Sequence, residues 1–360
     1  MILLYTTIAL ITLILINVPI AVAIGVTSMA GFLLTSGPDA FYDMVIKLYS
    51  GSTSFPLIAI PLFILAGNLM NTSGISLRLI NFVTALIGFI RGGLGMVNIG
   101  VSMVFAEISG SAVADVAATG TVLIPEMKRR GYSRTLSAAI TPPSASLAII
   151  IPPSIPMILY GVMSGSSIVE LFVAGIIPGV LGGLMMMFVA YVLSRRYGFP
   201  REQRFRLERV WSTFKEAGWA LTLPVIILGG IFGGWVTATE GAGLAVVASV
   251  FIGGVVYREL DIAGLRKAIL EGGTQTAVVM LLVAASALLG DYLTEVRVPQ
   301  RVAEGIMGMT DDRWAILLLL NGFFLVIGLF LHSAAAIILV VPIVMPLVQA
   351  AGIDPVHFGL

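Results

Sequence analysis

LGMVNIGVSMVFAEISGSAVADVAATGTVLIPEM, residues Leu94 to Met127, is too long for one membrane crossing and too short for two. Its 34 residues would make a helix of about 51 Å at 1.5 Å per residue, against a hydrocarbon core of roughly 30 Å. Two full crossings with a turn need roughly 40 residues or more. Two half-length helices meeting at Ser109-Gly110-Ser111 fit the length, so the stretch reads as a re-entrant hairpin.

Composition places this hairpin in a membrane protein. The hydrophobic fraction is 58% and the charged fraction 11%, whereas a soluble domain carries about 25% charge. Mean hydropathy is +1.05. Lys and Arg are missing before Lys47, between Arg134 and Arg195, and after Arg313, leaving room for several spans. A net charge of +1 gives no reason to expect nucleic acid. The absence of cysteine removes disulfides, thiolate metal sites and Cys nucleophiles together. The apolar start lacks a basic n-region, so it reads as a transmembrane helix with a periplasmic N-terminus.

Working outward from the hairpin, residues 1–90 divide into a first helix from Ile2 to Leu34 kinked at Pro19, an amphipathic stretch Asp39 to Tyr49 at the membrane surface, and spans Phe55–Met70 and Ile75–Ile90. Residues 91–165 hold the hairpin and Thr135 to Met163. The latter carries Thr141-Pro142-Pro143-Ser144 and Pro152-Pro153-Ser154-Ile155-Pro156. Five prolines each remove a backbone donor, and irregular backbone at membrane depth survives only inside protein or beside water; a broken span follows. Residues 166–290 supply spans Ser167–Ser194, Glu216–Trp235, Gly241–Tyr257 and Arg266–Leu289, with a basic cytoplasmic loop and surface helix at 195–216. Residues 291–360 begin with an amphipathic stretch, Asp291 to Asp312. A second overlong apolar run follows, Trp314 to Ala351, broken near His332-Ser333.

The positive-inside rule tests this scheme. Lys128-Arg129-Arg130 and Arg134 place the first hairpin's base in the cytoplasm. Successive crossings reach Ser164–Ser167 outside, Arg195–Arg209 inside, Val236–Glu240 outside, and Arg258, Arg266 and Lys267 inside. One more crossing leaves the second hairpin's base, Gln349–Gly359, outside and free of basic residues. Hairpins opening to opposite faces mark an inverted-topology repeat. At an offset of 221 residues Pro125 pairs with Pro346, Gly131 with Gly352, and Ser111-Ala112 with His332-Ser333. The same offset puts the counterparts of Thr141-Pro142-Pro143 just past Leu360, so about 50 further residues are expected by symmetry.

The chemistry-bearing candidates gather at these breaks. Ser109, Gly110 and Ser111 offer hydroxyls, carbonyls and half-helix ends at the tip, and Thr141, Ser144, Ser146 and Ser154 add oxygens from the broken span. Half-helix N-termini attract anions, and unwound carbonyls coordinate hard cations. Ser109, Ser111, Thr141 and Ser144 are the Na+ candidates. The bland alternative is that small residues simply permit close helix packing. Glu107 and Asp115 flank the tip, where an ionisable side chain is costly and by default functional or paired. Glu240 reads equally as part of a helix N-cap. His332 and Ser333 mark the second break, where a lone histidine is more often satisfied locally than a ligand. The methionines, Met185-Met186-Met187 among them, read as core or lipid-facing.

At these residues the chain resembles the large, DctM-type membrane subunit of tripartite ATP-independent periplasmic (TRAP) transporters. The strings that carry the resemblance are Ile60-Pro61-Leu62-Phe63-Ile64-Leu65-Ala66-Gly67-Asn68, Arg91-Gly92-Gly93-Leu94, Ser109-Gly110-Ser111-Ala112-Val113-Ala114-Asp115, Ile151-Pro152-Pro153-Ser154-Ile155-Pro156, Ala174-Gly175-Ile176-Ile177-Pro178-Gly179 and Gly352-Ile353-Asp354-Pro355-Val356-His357-Phe358-Gly359. The resemblance implies an all-α, elevator-type carrier of the ion-transporter superfamily in the bacterial inner membrane. Such a carrier imports an organic acid with Na+ as coupling ion and no cofactor. Its implied partners are a separate small (DctQ-type) membrane subunit and a periplasmic substrate-binding protein. Ser109, Gly110, Ser111, Asp115, Thr141, Pro142, Ser144, Ser154, His332 and Ser333 become the substrate- and ion-site candidates. Two positions depart from the family pattern: His332 stands where a carboxylate is common, and Thr237-Ala238-Thr239-Glu240 replaces Thr-Pro-Thr-Glu.

Other classes fit less well. No Gly-x-Ser-Gly nucleophile occurs, and Asp291 follows Leu288-Leu289-Gly290 instead of Gly-x-Gly, which speaks against an intramembrane protease. Paired inverted hairpins without a repeated pore ring speak against a channel. A carrier of the same superfamily working without a binding protein, on Na+ or H+, differs only in partner dependence.

Overall fold

The computed structural model describes residues 2–90, 92–109, 112–129, 131–197, 205–310, 312–329 and 331–360, with side chains left out at 105–109, 112–115, 117, 118, 121, 122, 126 and 134. Every described regular element is helical. In chain order they are α1 (Ile2–Leu15), α2 (Ile20–Ser36), α3 (Ala40–Ser52), α4 (Ala59–Thr72), α5 (Ile75–Ile87), α6 (Gly93–Ser109), α7 (Ala112–Arg129), α8 (Arg134–Ala145), α9 (Leu147–Ile150) and α10 (Ile155–Ser164). Then follow α11 (Ile168–Arg196), α12 (Leu207–Phe232), α13 (Ala238–Phe251), α14 (Ile262–Glu295), α15 (Val298–Met307), α16 (Arg313–Gly328), α17 (Ser333–Ala350) and α18 (Pro355–Gly359). Among the described residues six helices are long and apolar enough to cross a membrane, or seven if the two halves of the broken span count as one. The chain is a polytopic, multi-pass membrane protein.

The chain divides into two compact units. One comprises Met1–Ile58, Ile158–Ser167 and Thr274–Leu360; the other comprises Ala59–Met157 and Ile168–Gly273.

In the first unit the expected single helix from Ile2 to Leu34 is instead two helices, α1 and α2, packed side by side. Asn17 takes a left-handed conformation (φ 65°), and the Val18 amide donates to the Leu13 carbonyl. That six-to-one bond ends α1 and turns the chain, and Pro19 then starts a new helix. Ile24 and Phe32 of α2, Ala40 and Met44 of α3, and Ala285, Leu288, Leu289 and Tyr292 of α14 form the buried core here. Gly31 is required by close approach: a Cβ there would sit 2.6 Å from the Tyr292 ring. The amphipathic stretch is helical as expected (α3), with Phe41, Tyr42, Val45, Ile46 and Tyr49 exposed on its outer face.

The stretch Asp291 to Asp312 is not one amphipathic element. α14 runs on to Glu295, Arg297 turns the chain with φ 58°, and α15 packs along α17. The second overlong run does break where expected, between α16 and α17. Its arms do not lie along one another, however: α17 is occupied by α15 and meets α16 only slightly.

In the second unit stands α4, the helical part of the 18-residue apolar run Phe55–Thr72. Its main neighbour is α13, whose buried residues Ala238, Gly241, Ala242, Ala245 and Ser249 are small enough for the backbones to approach closely. α5 packs between α12 and α6, and α11 between α6 and α9. Among the described residues, no separate surface helix precedes the span expected at Glu216–Trp235. α12 is continuous from Leu207, because nothing between Leu207 and Ala217 breaks a helix. α13 ends in a π-helical turn, Ile252–Val256.

Candidate functional site

Residues 110 and 111, the centre of the expected hairpin tip, lie outside the described residues, as do the side chains of Ser109, Glu107 and Asp115. α6 ends at Ser109, α7 begins at Ala112, and the two helices pack against each other and against α8.

Where these three helices meet, the unit buries a seam of oxygen-bearing side chains. Asn98 and Ser102 come from α6, and Ser137, Thr141 and Ser144 from α8; all are fully buried. The spacing explains the alignment, since residues four apart, or seven, share a face of a helix. Asn98 Nδ2 donates to Thr141 Oγ1 at 2.7 Å and to the Met127 sulfur of α7 at 3.8 Å. The Thr141 hydroxyl donates to the Ser137 carbonyl at 2.9 Å. Gly120 brings α7 close, a Cβ there standing 3.7 Å from Thr141 Cγ2.

Counting donors shows where the seam is short of them. The single Ser144 hydroxyl hydrogen has a good acceptor in the Thr141 carbonyl at 2.8 Å. Its distance to Asn98 Oδ1 is 3.4 Å, and Ser102 Oγ reaches Ser144 Oγ only at 3.2 Å. Hydroxyl hydrogen bonds normally span about 2.7–2.8 Å. Asn98 Oδ1 is therefore a fully buried carbonyl oxygen with a poor donor, beside two hydroxyl oxygens held loosely. Pro142 and Pro143, inside α8, add to this by withdrawing the helical donors of the Ala138 and Ala139 carbonyls. Such a set of neutral oxygens suits a hard cation of modest charge.

The other candidates have local roles in the structure. Ser154 closes the break between α9 and α10: its hydroxyl donates to the Ile149 carbonyl at 2.6 Å and accepts from the Met157 amide at 3.5 Å. The break itself falls at 151–154, while Pro142 and Pro143 stay within helix. In the first unit His332 caps α17, its Nδ1 accepting from the Ala334 amide at 3.4 Å, and Ser333 opens that helix. Glu240 and Thr237 form a reciprocal capping box at the start of α13, in line with the N-cap reading. Asn98, Ser102 and Ser137 were not among the sequence candidates. Their signal was a polar pair at i,i+4 in α6 and a polar triplet at i,i+4,i+7 in α8, visible only when two helices are read together.

A family model for the tripartite ATP-independent periplasmic transporter DctM component matches residues 7–360. This chain belongs to that family. The isethionate TRAP transporter permease protein DctMQ of Oleidesulfovibrio alaskensis is 40% identical over 346 residues, covering 96% of this chain and 54% of the relative. The C4-dicarboxylate TRAP transporter large permease protein DctM of Pseudomonas aeruginosa is 39% identical over 338 residues, 94% of this chain and 79% of the relative. The sialic acid TRAP transporter large permease protein SiaM of Vibrio cholerae is 35% identical over 344 residues, with 96% and 80% covered. The chain thus spans about half of the first relative and about four-fifths of the other two. It is a TRAP permease component, and not an enzyme.

One family string acquires a structural meaning within the first unit. Gly352-Ile353-Asp354-Pro355-Val356-His357-Phe358-Gly359 ends α17 with a left-handed Gly352 (φ 63°), and Asp354 caps α18 through the His357 amide at 2.8 Å. Tyr160 of α10 donates its hydroxyl to the Pro355 carbonyl, and its ring lies against Gly359 and Phe358. The second half of the broken span is thereby tied to the turn that follows α17.

Proposed function

We propose that this TRAP large permease is the transport subunit of a secondary importer that moves an organic acid across the inner membrane with Na+. The under-donated, fully buried Asn98 Oδ1, set among Ser102, Thr141 and Ser144, carries this reading. Asn98, Ser102, Thr141 and Ser144 would hold the ion, with Ser109 and Ser111 approaching from the hairpin tip. In this reading α6 and α7 form a re-entrant hairpin, one of an inverted pair, and the hairpins with their broken helices make the elevator stroke. A small membrane subunit and a periplasmic binding protein complete the system, the latter setting much of the substrate choice. Isethionate, C4-dicarboxylates and sialic acid, named for three relatives, are all organic acids.

The test is uptake of such an acid into liposomes holding the chain and its small subunit, under an inward Na+ gradient. Uptake that requires both Na+ and the binding protein is the expected result. Uptake indifferent to the binding protein overturns the tripartite part. Uptake driven by a proton gradient without Na+ overturns the ion assignment and turns attention to Glu107, Asp115 and His332.

A further inference from the structure

The helix that carries Thr141 and Ser144 has a second face. Leu136, Ala139, Ile140 and Pro143 follow one another at i, i+3, i+4 and i+7 along α8, beside the stripe of Ser137, Thr141 and Ser144. Opposite them α11 presents Met185, Met186, Val189, Ala190 and Leu193. Together with Ile99 of α6 they line an open groove of about 340 Å³ without a polar side chain. Met185 and Val189 are 71% and 54% exposed at its rim. The groove runs along eight residues of α8 and nine of α11, about 11–12 Å at 1.5 Å per residue.

Its two ends differ. One end lies at Pro143 and Met185. The other end, at Leu136 and Leu193, lies toward the C-terminus of α11, whose last turn carries the exposed Arg195 and Arg196. Arg195 lies over the Tyr191 ring, 5.8 Å from its centroid. No acidic residue lies on α11 between Glu170 and its C-terminus, or anywhere on α8. An apolar slot as long as part of an acyl chain, opening onto a patch of cations at the span ends, matches an anionic phospholipid in both its parts.

We propose that this groove is a binding site for an anionic phospholipid of the bilayer. One acyl chain lies between α8 and α11, and the phosphate is held by Arg195 and Arg196. The lipid braces α8 from behind, at the turn whose other side holds Thr141 and Ser144.

Native mass spectrometry of the purified full chain, delipidated and titrated with phosphatidylglycerol or phosphatidylcholine of equal chain length, tests this. Phosphatidylglycerol should bind at least tenfold tighter. The double variant Arg195→Gln, Arg196→Gln should weaken it about fivefold for each arginine removed and leave phosphatidylcholine unchanged. Val189→Trp, at an exposed rim position that does not threaten folding, should fill the slot and weaken both lipids. Equal binding of the two lipids, or unchanged phosphatidylglycerol binding in Val189→Trp, overturns the proposal. The chain has no cysteine, so Val189→Cys can carry a single cysteine–diazirine photocrosslinker in native membranes, with the headgroup of any captured lipid identified by mass spectrometry. An anionic-lipid adduct there supports the site; a zwitterionic-lipid adduct alone, or a protein adduct showing that a polypeptide covers the groove, overturns it.

Discussion

Asn98 and Thr141 form the shortest side-chain contact in the buried seam, 2.7 Å between two fully buried residues. Thr141→Val keeps the shape and deletes the acceptor, leaving a buried Asn98 N–H unpaired at a cost of about 1–3 kcal/mol. If the seam binds the coupling ion, this variant should also raise the Na+ concentration for half-maximal uptake at least tenfold, and Thr141→Ser should restore it. A stability loss with unchanged Na+ dependence would make the seam purely structural. Tyr292 offers the opposite case. Its ring is enclosed by Gly31 and Phe32, but its hydroxyl is buried without a hydrogen-bond partner. Tyr292→Phe removes an unpaid desolvation, so thermal unfolding in detergent should show equal or higher stability, by up to about 1 kcal/mol.

Helix ends show how elements are fixed. α13 begins with Thr237 and Glu240 satisfying each other's backbone amides, and Thr237→Ala should cost about 1 kcal/mol. Ala238 stands at the first helical position, where a proline loses no helical hydrogen bond, so Ala238→Pro should be close to neutral. Both follow from chemical denaturation of the purified protein. A polar latch fixes the opposite end of the same helix. Arg78 of α5 makes a two-pronged contact with Glu259 at 2.7 and 3.1 Å, donates to the Gly74 carbonyl at 3.0 Å, and stacks on Tyr257, whose hydroxyl donates to the Glu216 carbonyl. Gly74 is favoured by its left-handed conformation (φ 71°), and a Cβ there would also push the Glu259 carboxylate out of the latch. The Arg78 hydrogen bond holds the Glu259 carboxyl below the usual carboxylate range. A carboxylate lowered in the folded state stabilises above its unfolded value, about 4.3, and loses that contribution as pH falls through the folded value. The side chain of Glu259 is 45% exposed, so solvent and salt limit the contribution to under about 1 kcal/mol. Stability of the wild type and of Glu259→Gln should converge on acidification below pH 4, and differ at neutral pH.

For the whole molecule the question is orientation in the bilayer. α11 is 29 residues, about 43 Å, and so crosses once. Ser166 and Ser212, on either side of it, should therefore face opposite aqueous compartments, with the Arg195–Arg209 side cytoplasmic. The cysteine-free background lets Ser166→Cys and Ser212→Cys be probed separately with a membrane-impermeant maleimide in intact cells. The first should label from outside and the second only after lysis. Labelling of both from outside would refute the crossing pattern.

The sequence alone determined that this is a helical membrane protein, where its apolar runs lie, and that one of them breaks near His332; it pointed to a broken span between Thr135 and Met163, and only the structure put the break at 151–154 and left Pro142 and Pro143 in helix. Length against bilayer thickness, proline's missing donor and the scarcity of charge are local properties that no packing can undo. The family strings were equally legible, because they are local too. Packing decided the rest. The left-handed Asn17 turned one expected helix into two. α12 absorbed a segment read as a surface helix, since good helix formers continue unless something stops them. α17 chose α15 over α16 as its neighbour, a contest between apolar faces that hydropathy cannot rank. Asn98 and Ser102 joined Thr141 and Ser144 only because α6 lies on α8: a buried polar group needs a partner, and tertiary contact alone decides which helix supplies it.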